Sequence, residues 1–150
     1  MKINKKGFTL IELLVVIAII GLLSTMAIVA LNGARRKARD ARRVSDIKQI
    51  QTALELFQND NSDYPDGTSD GQKMEAGTAL SDGTTTFMAS IPDDPTSDYA
   101  YTYYYGDSSS YALDFRLEAP TGGLGDSSWS EIYCQATQAG ISCQSSPFTH

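Results

Sequence analysis

The sequence predicts an α+β fold in which a long N-terminal α-helix packs on a small antiparallel β-sheet. Apolar residues run almost without interruption from Phe8 to Leu31, and helical periodicity continues in the residues that follow. Further along, residues 99–118 are rich in aromatic side chains and alternate in polarity, as paired β-strands do. A chain of 150 residues is long enough for one such domain with a short appended segment.

The apolar run of residues 8–31 is long enough to cross a bilayer as a helix. At about 1.5 Å per residue it spans roughly 36 Å, against a hydrocarbon core of about 30 Å. The basic leader before it, residues 1–7, is expected to stay in the cytoplasm, so the rest of the chain is exported. We therefore predict a membrane-spanning helix over residues 8–33 and an extracytoplasmic domain over residues 34–150.

The helix is expected to continue beyond the span to about Asn59. No Gly or Pro occurs between residues 34 and 64 to interrupt it. Apolar residues recur there at steps of three and four, which places them on one face: Ala34, Ala38, Ala41, Val44, Ile47, Ile50, Leu54 and Phe57. Residues 34–60 are thus predicted to be an amphipathic helix whose apolar face covers the sheet.

The β-sheet is predicted over residues 99–133, with three or four strands. A turn at Gly106–Ser110 would join the first two strands, and a third would include Trp129–Tyr133. In the second strand, alternation places four apolar side chains on one face: Tyr111, Leu113, Phe115 and Leu117. Most tyrosines of residues 99–105 are expected to be sheet and core residues.

Two segments are predicted to lie outside the sheet. Residues 61–98, rich in Gly, Asp, Ser and Thr, are expected to form a variable loop with at most short helical pieces. Residues 134–150 are expected to be a tail tied by a disulfide between Cys134 and Cys143. Two nearby cysteines in an exported segment normally pair, and their number and spacing do not suit a zinc site.

Charge is distributed unevenly along the chain. Residues 1–43 carry nine Lys or Arg and two acids, whereas residues 44–150 carry three Lys or Arg and sixteen acids. Such an acidic domain repels phosphates, so we predict no nucleic-acid binding by this subunit alone. The basic patch at residues 35–43 has three interpretations: pairing with acidic surfaces of neighbouring subunits, contact with anionic lipid headgroups, or a solvated helix face.

Glu12 is the one charged residue within the apolar run. An acid costs about 2.5–3.5 kcal/mol at the centre of a span and less near the interface, where Glu12 lies. Cleavage after Gly7 would turn the backbone nitrogen of Phe8 into a charged α-amino group. A carboxylate at the depth of a neighbour's amine would compensate that charge in a low-dielectric core. Glu12 is therefore predicted to act in assembly.

Residues 7–12, Gly-Phe-Thr-Leu-Ile-Glu, follow the basic leader in a pattern that resembles the class III signal of type IV prepilins and type II secretion pseudopilins. The resemblance implies a type IV pilin-like fold and cleavage between Gly7 and Phe8 by a prepilin peptidase. It also implies N-methylation of Phe8 and a role for Glu12 in subunit registration. Members of the family often carry a proline where Val29 stands here.

The function that the resemblance implies is that of a structural pilin. The chain would span the cytoplasmic membrane once and then polymerise into a type IV pilus on the cell surface that serves adhesion, motility or DNA uptake. Its partners would be copies of itself, minor pilins, the prepilin peptidase, and an assembly platform driven by an ATPase. The cysteine pair favours this function. The alternative is a pseudopilin of a short secretion filament, which Pro-Asp-Asp-Pro at residues 92–95 favours.

Other functions and signals are disfavoured. A conventional secretory signal peptide or a plain membrane anchor does not account for Glu12. The only histidine, His150, is at the chain end and no nucleophile–base arrangement is visible, so we predict neither an enzyme nor a cofactor. Five aspartates could supply calcium ligands, but they lack EF-hand spacing and no metal site is predicted: Asp93, Asp94, Asp98, Asp107 and Asp114.

Overall fold

The structure is a computed structural model that describes residues 7–66 and 72–149. A helix is followed by seven strands: α1 (Leu10–Asn61), β1 (Gln72–Lys73), β2 (Leu80–Ser81), β3 (Thr86–Met88), β4 (Thr102–Asp107), β5 (Ser110–Leu117), β6 (Ile132–Thr137) and β7 (Gly140–Gln144). The chain divides into two compact units, Met1–Arg35 and Arg36–His150. Apart from Gly7, the predicted leader lies outside the described residues.

In the first unit, the apolar side chains of α1 are exposed. The large ones between Leu10 and Leu31 are each at least 45% accessible. An 18-residue window of α1 has a mean hydropathy of 2.8 with no part buried, and the helix is long and apolar enough to cross a membrane. A surface of this kind needs lipid or other protein to cover it.

The second unit contains a five-stranded antiparallel sheet of order β1-β4-β5-β6-β7 and a separate two-stranded sheet of β2 and β3. Ile47, Ile50 and Leu54 of α1 are completely buried in its core, together with side chains from the large sheet. The amphipathic part of the helix therefore covers the sheet, which confirms the predicted α+β fold.

The predicted alternation in β5 is confirmed. Tyr111, Leu113, Phe115 and Leu117 are all buried, and the residues between them are only partly buried. The turn before this strand lies between Asp107 and Ser110, as expected. It is closed by the Asp107 carboxylate, which accepts hydrogen bonds from the backbone and hydroxyl of Ser109 and from the hydroxyl of Ser110.

The helix ends two residues beyond the predicted boundary because Ser62 adopts the left-handed conformation, with φ of 60°. Its backbone N–H donates to the carbonyl of Gln58 at 2.7 Å, and the Asn61 side chain donates to the carbonyl of Phe57. These bonds satisfy carbonyl groups that the last turn of a helix otherwise leaves unpaired.

Two predictions about the sheet are wrong. Residues 134–150 are not a tail outside the sheet, because β6 continues to Thr137 and β7 adds a fifth strand. The full length of β6 is hard to recognise from the sequence, because the side chains at its buried positions are mostly small. These positions are Ile132, Cys134 and Ala136. Strand β7 has no buried residue at all, so it carried no apolar pattern to detect.

The prediction of a loop with at most short helical pieces over residues 61–98 is also wrong. Its described part contains no helix after Asn61 and instead forms β1, β2 and β3, of two or three residues each. Such short strands exist only because a partner supplies hydrogen bonds, as β4 does for β1. A period of two cannot be recognised over so few residues.

Candidate assembly segment and its supporting ion network

Helix α1 begins with a reciprocal capping box formed by Thr9 and Glu12. The Glu12 carboxylate accepts hydrogen bonds from the Thr9 backbone N–H at 2.8 Å and from its hydroxyl. The Thr9 hydroxyl oxygen in turn accepts the backbone N–H of Glu12 at 3.3 Å. Two N–H groups that a helix start leaves unpaired are thereby satisfied, so Glu12 stabilises the start of the helix in a single chain.

Gly7 and Phe8 precede this capped turn and are exposed, with 78% of Phe8 accessible. A side chain added at Gly7 would meet no other atom within 4 Å, so the backbone here is open to an approaching protease. The structure brings Glu12 together with Thr9. Cleavage at Gly7, methylation of Phe8 and pairing of Glu12 with a neighbour's amine all remain predictions.

Cys134 and Cys143 form a disulfide between β6 and β7. They are direct partners in the antiparallel register of the two strands. Cys134 is completely buried in the core, whereas Cys143 is only partly buried. The bond therefore fastens the outermost strand, β7, to the core.

A buried arginine, Arg43, joins three segments of the second unit. Its guanidinium donates two hydrogen bonds to Asp94, at 2.7 and 2.9 Å, and one to Asp40 at 2.7 Å. It also donates to Glu118 at 2.8 Å and to the Thr96 hydroxyl at 2.9 Å. Its contacts thus connect α1 with the loop before β4 and with the end of β5.

The carboxylates around Arg43 have further donors. Asp40 accepts the backbone N–H groups of Glu118 and Ala119, and Arg39 pairs with Glu118 through two hydrogen bonds. Asp94 accepts both the backbone N–H and the hydroxyl of Thr96. Three carboxylates and two guanidiniums therefore form one network. Among the described residues, no buried side-chain nitrogen or oxygen lacks a partner.

The network lowers the pKa of two acids, Glu118 and Asp94. The hydrogen bond from Arg39, followed by those from Arg43, lowers the pKa of Glu118 to about 2 against the opposing effect of burial. For Asp94, burial raises the pKa, but hydrogen bonds from Arg43 and Thr96 outweigh it and the net shift is downward. Burial also lowers the pKa of Arg43, and its three carboxylate partners more than reverse this, so the guanidinium stays charged.

The three interpretations of the basic patch all missed this internal pairing. Arg43 is neither solvated nor available to lipid or a neighbouring subunit, because it is completely buried, and Arg39 binds Glu118 within the chain. A signal was present in the sequence. Asp40 and Arg43 precede Ile47, Ile50 and Leu54 at steps of three and four, so they continue the buried face of the helix.

The five aspartates that could have supplied calcium ligands do not form a cation site within the described residues. Asp94 binds Arg43, and Asp107 closes the β4–β5 turn. Within residues 7–66 and 72–149, no group of three or more His, Cys, Asp or Glu is placed to hold a metal ion. A different buried pair appears instead: the Tyr101 hydroxyl donates to Asp46 at 3.1 Å, and burial raises the pKa of both groups.

Comparison with known proteins shows similarity in the N-terminal part of the chain. A family model described as the prokaryotic N-terminal methylation motif matches residues 2–28. Core protein G of the type II secretion system of Escherichia coli (strain K12) is 42% identical over 62 residues, and PilA4, the major component of the type IV wide pilus of Thermus thermophilus, is 44% identical over 61 residues. Over this part of its length, the chain is similar to type II secretion pseudopilins and type IV pilins.

The similarity of the chain to these proteins is confined to part of each protein, and the chain spans less than half the length of the relatives it matches. It covers 41% of the chain, 43% of the E. coli protein and 47% of the T. thermophilus protein. Core protein G of Vibrio cholerae is 41% identical over a similar length. These relatives are structural components of secretion or pilus machines. No solved structure shows a significant match to the chain.

Proposed function

We propose that this protein is a structural pilin subunit that polymerises into a type IV pilus on the cell surface. One observation carries the proposal: the first half of α1 is apolar, exposed and capped by the Thr9–Glu12 pair, within the segment that matches the methylation motif. Such a surface suits a lipid environment and a packed core of helices equally well, because the two differ little in polarity.

Maturation prepares the subunit to move from the membrane into the filament. A prepilin peptidase cuts between Gly7 and Phe8 and then N-methylates Phe8, while the helix spans the cytoplasmic membrane once. An assembly platform driven by a cytoplasmic ATPase moves subunits from the membrane into the filament, together with minor pilins. The new α-amino group of Phe8 enters the filament core, where it pairs with Glu12 of a neighbouring subunit.

The Thr9–Glu12 contact gives Glu12 two roles, one in capping the helix and one as a charge for assembly. Substitution of Glu12 by alanine alone does not separate them. Glu12→Ala removes both the helix cap and the charge. Glu12→Gln keeps the cap, because glutamine serves equally in a capping box, and removes only the charge. We expect both variants to insert in the membrane at normal levels and both to fail to assemble.

Assembly is measured as the amount of the subunit in material sheared from cells, relative to the amount in membranes. Wild-type filament yield from Glu12→Gln would show that the cap, and not the charge, is what assembly needs. Mass spectrometry of the membrane-derived chain tests maturation independently. We expect a mass that begins at N-methylated Phe8, and a chain that retains Met1 would contradict cleavage.

A pseudopilin of a type II secretion system is the second candidate function. The similarity to core protein G supports it, as the similarity to PilA4 supports a pilus. Deletion of the subunit separates the two. Loss of surface fibres with normal export of secreted enzymes supports the pilin, and accumulation of those enzymes inside the cell with no fibre in sheared material supports the pseudopilin.

A further inference from the structure

The two edges of the five-stranded sheet carry surfaces of different chemistry. One edge is β7, and the other is β1. Beside β7, a groove of about 500 Å³ lies between α1, the loop at residues 121–124 and the β6–β7 turn. We call it the basic groove. Its walls include Val44, Leu124 and Ile141, all partly buried, and Lys48 lies at its rim.

The basic groove has cations but few anions nearby. Lys37 and Lys48 are eleven residues apart, which is three helical turns, so both lie on the same side of α1. Both are exposed and neither has an ion-pair partner within the described part of the chain. Residues 132–149 contain no Lys, Arg, Asp or Glu. Glu55, seven residues after Lys48 and therefore on the same side of the helix, accepts a hydrogen bond from the Tyr64 hydroxyl.

The opposite edge is acidic. Asp66 and Glu75 line a second groove with Met74 and Leu80, next to β1, and we call this surface the acidic face. The carboxylates of Asp66 and Glu75 are exposed and form no ion pair or hydrogen bond among the described residues.

We propose that the basic groove of one subunit receives the acidic face of a second copy of this chain. Both surfaces combine apolar side chains with unpaired charge, and the charges are of opposite sign. Because the two surfaces differ and lie at opposite edges of the sheet, the contact is heterologous, and repetition of such a contact produces a ring or an open helical array. Complementary charge fixes how one subunit is positioned on the next. Contact between two basic grooves, or between two acidic faces, is disfavoured because like charges repel.

This inference rests on the proposed function, because it assigns the surfaces through which the globular units of neighbouring subunits meet in the filament. The edge strand β7 is suited to the position. Exposed sheet edges are usually protected by charges or proline, and β7 has neither. Its disulfide to β6 keeps this edge rigid without introducing a charge that would repel a neighbour.

Charge exchange in the full-length chain tests the pairing. Lys37→Glu with Lys48→Glu reverses the basic groove, and Asp66→Lys with Glu75→Lys reverses the acidic face. We expect each double variant to lower the yield of sheared filaments at least about tenfold, since like charges then face each other. The quadruple variant restores complementary charge and is expected to restore the yield.

A matched control carries the same change in charge elsewhere. Asp93→Lys with Asp98→Lys alters two exposed carboxylates that have no ion-pair partner in the described structure, and it should assemble normally. Membrane levels of every variant and their resistance to protease verify folding. Wild-type yield from either double variant, or a quadruple variant that is present in membranes and does not recover, contradicts the pairing. If the unaltered chain forms no filament, the proposed function itself is wrong and the inference falls with it.

Discussion

Arg43 of α1 binds Asp94 through two parallel hydrogen bonds, from Nε to Oδ2 at 2.7 Å and from Nη2 to Oδ1 at 2.9 Å, and neither side chain reaches solvent. The two residues are 51 positions apart in the chain. This contact holds the loop before β4 against the helix, on the same buried face as Ile47 and Ile50. Burial of such a pair costs a large desolvation energy. Removal of one partner is therefore strongly destabilising, because the remaining charge stays buried without compensation.

Removal of either partner should therefore destabilise the protein strongly. We expect Arg43→Ala or Asp94→Ala to lower the free energy of unfolding by about 3–5 kcal/mol, because each removes the two-hydrogen-bond partner of a buried charge. Denaturant unfolding of the full chain in detergent, followed by tyrosine and tryptophan fluorescence, measures the change. Arg42→Ala is the control, since Arg42 is 59% accessible and its pair with Asp46 spans 3.6 Å. Its effect should stay below about 1 kcal/mol.

Stability should fall in acid because of Glu118. Its pKa is lowered from 4.5 to about 2, chiefly by the hydrogen bond from Arg39. A lowered carboxyl pKa contributes stability that is full above the unfolded value and disappears as pH falls through the folded value. Melting temperatures measured from pH 7 to pH 2 should therefore decline mainly below about pH 4.5.

Glu118→Gln isolates this contribution. The variant should be less stable at pH 7 and should lose less stability between pH 4.5 and pH 2 than the unaltered chain. Asp46, whose pKa is raised by burial, acts in the opposite direction, but it is present in both proteins and cancels in the comparison. Parallel melting curves for the two proteins across this range would contradict the assigned role of Glu118.

The disulfide should contribute measurable stability to the sheet. Cys134 and Cys143 are nine residues apart, and closure of a loop of that size stabilises a protein by about 2–3 kcal/mol. We expect the double variant Cys134→Ala with Cys143→Ala to unfold at lower denaturant concentration and to be unaffected by a reducing agent. The unaltered chain should approach the variant when it is reduced. An unaltered chain that is indifferent to reduction would contradict this prediction.

Gly125 should tolerate substitution less well than Gly123. Both glycines have positive φ, 76° and 84°, so alanine at either position costs about 1–2 kcal/mol for the left-handed backbone. A Cβ at Gly125 would in addition approach Ile132 to 2.9 Å, whereas one at Gly123 meets nothing within 4 Å. Gly125→Ala should therefore be less stable than Gly123→Ala by a further 1–3 kcal/mol or so. Equal unfolding midpoints for the two would show that Ile132 moves aside freely.

Local patterns predicted the parts of the fold that repeat over many residues. The apolar run from Phe8 to Leu31 and the three- and four-residue steps through Ile47, Ile50 and Leu54 predicted α1. The alternation from Tyr111 to Leu117 predicted β5 and its buried face. The motif at residues 7–12 predicted the match to the N-terminal methylation motif, because its residue types are unusual together at the start of an apolar segment.

Of the candidate site, only the part that depends on residues close together in sequence was predictable. Glu12 was recognisable as an acid in apolar surroundings, and its capping partner, Thr9, lies only three residues away. By contrast, the run of basic residues at 35–43 predicts an exposed patch that includes Arg43, and this prediction is wrong for Arg43. Its position on the buried helix face was visible, but the acids that allow it to be buried are not neighbours in sequence.

The sequence by itself determined the long helix, its membrane-compatible first half, the face that packs on the sheet, and the resemblance of its N-terminus to prepilins. Tertiary structure alone decided that Arg43 would meet Asp94 and Glu118, and that β7 would join the sheet. The physical reason is the range of the interactions. A helix or a long strand repeats its pattern every two to four residues, whereas a buried ion pair or a short edge strand is stable only where distant segments supply its partner.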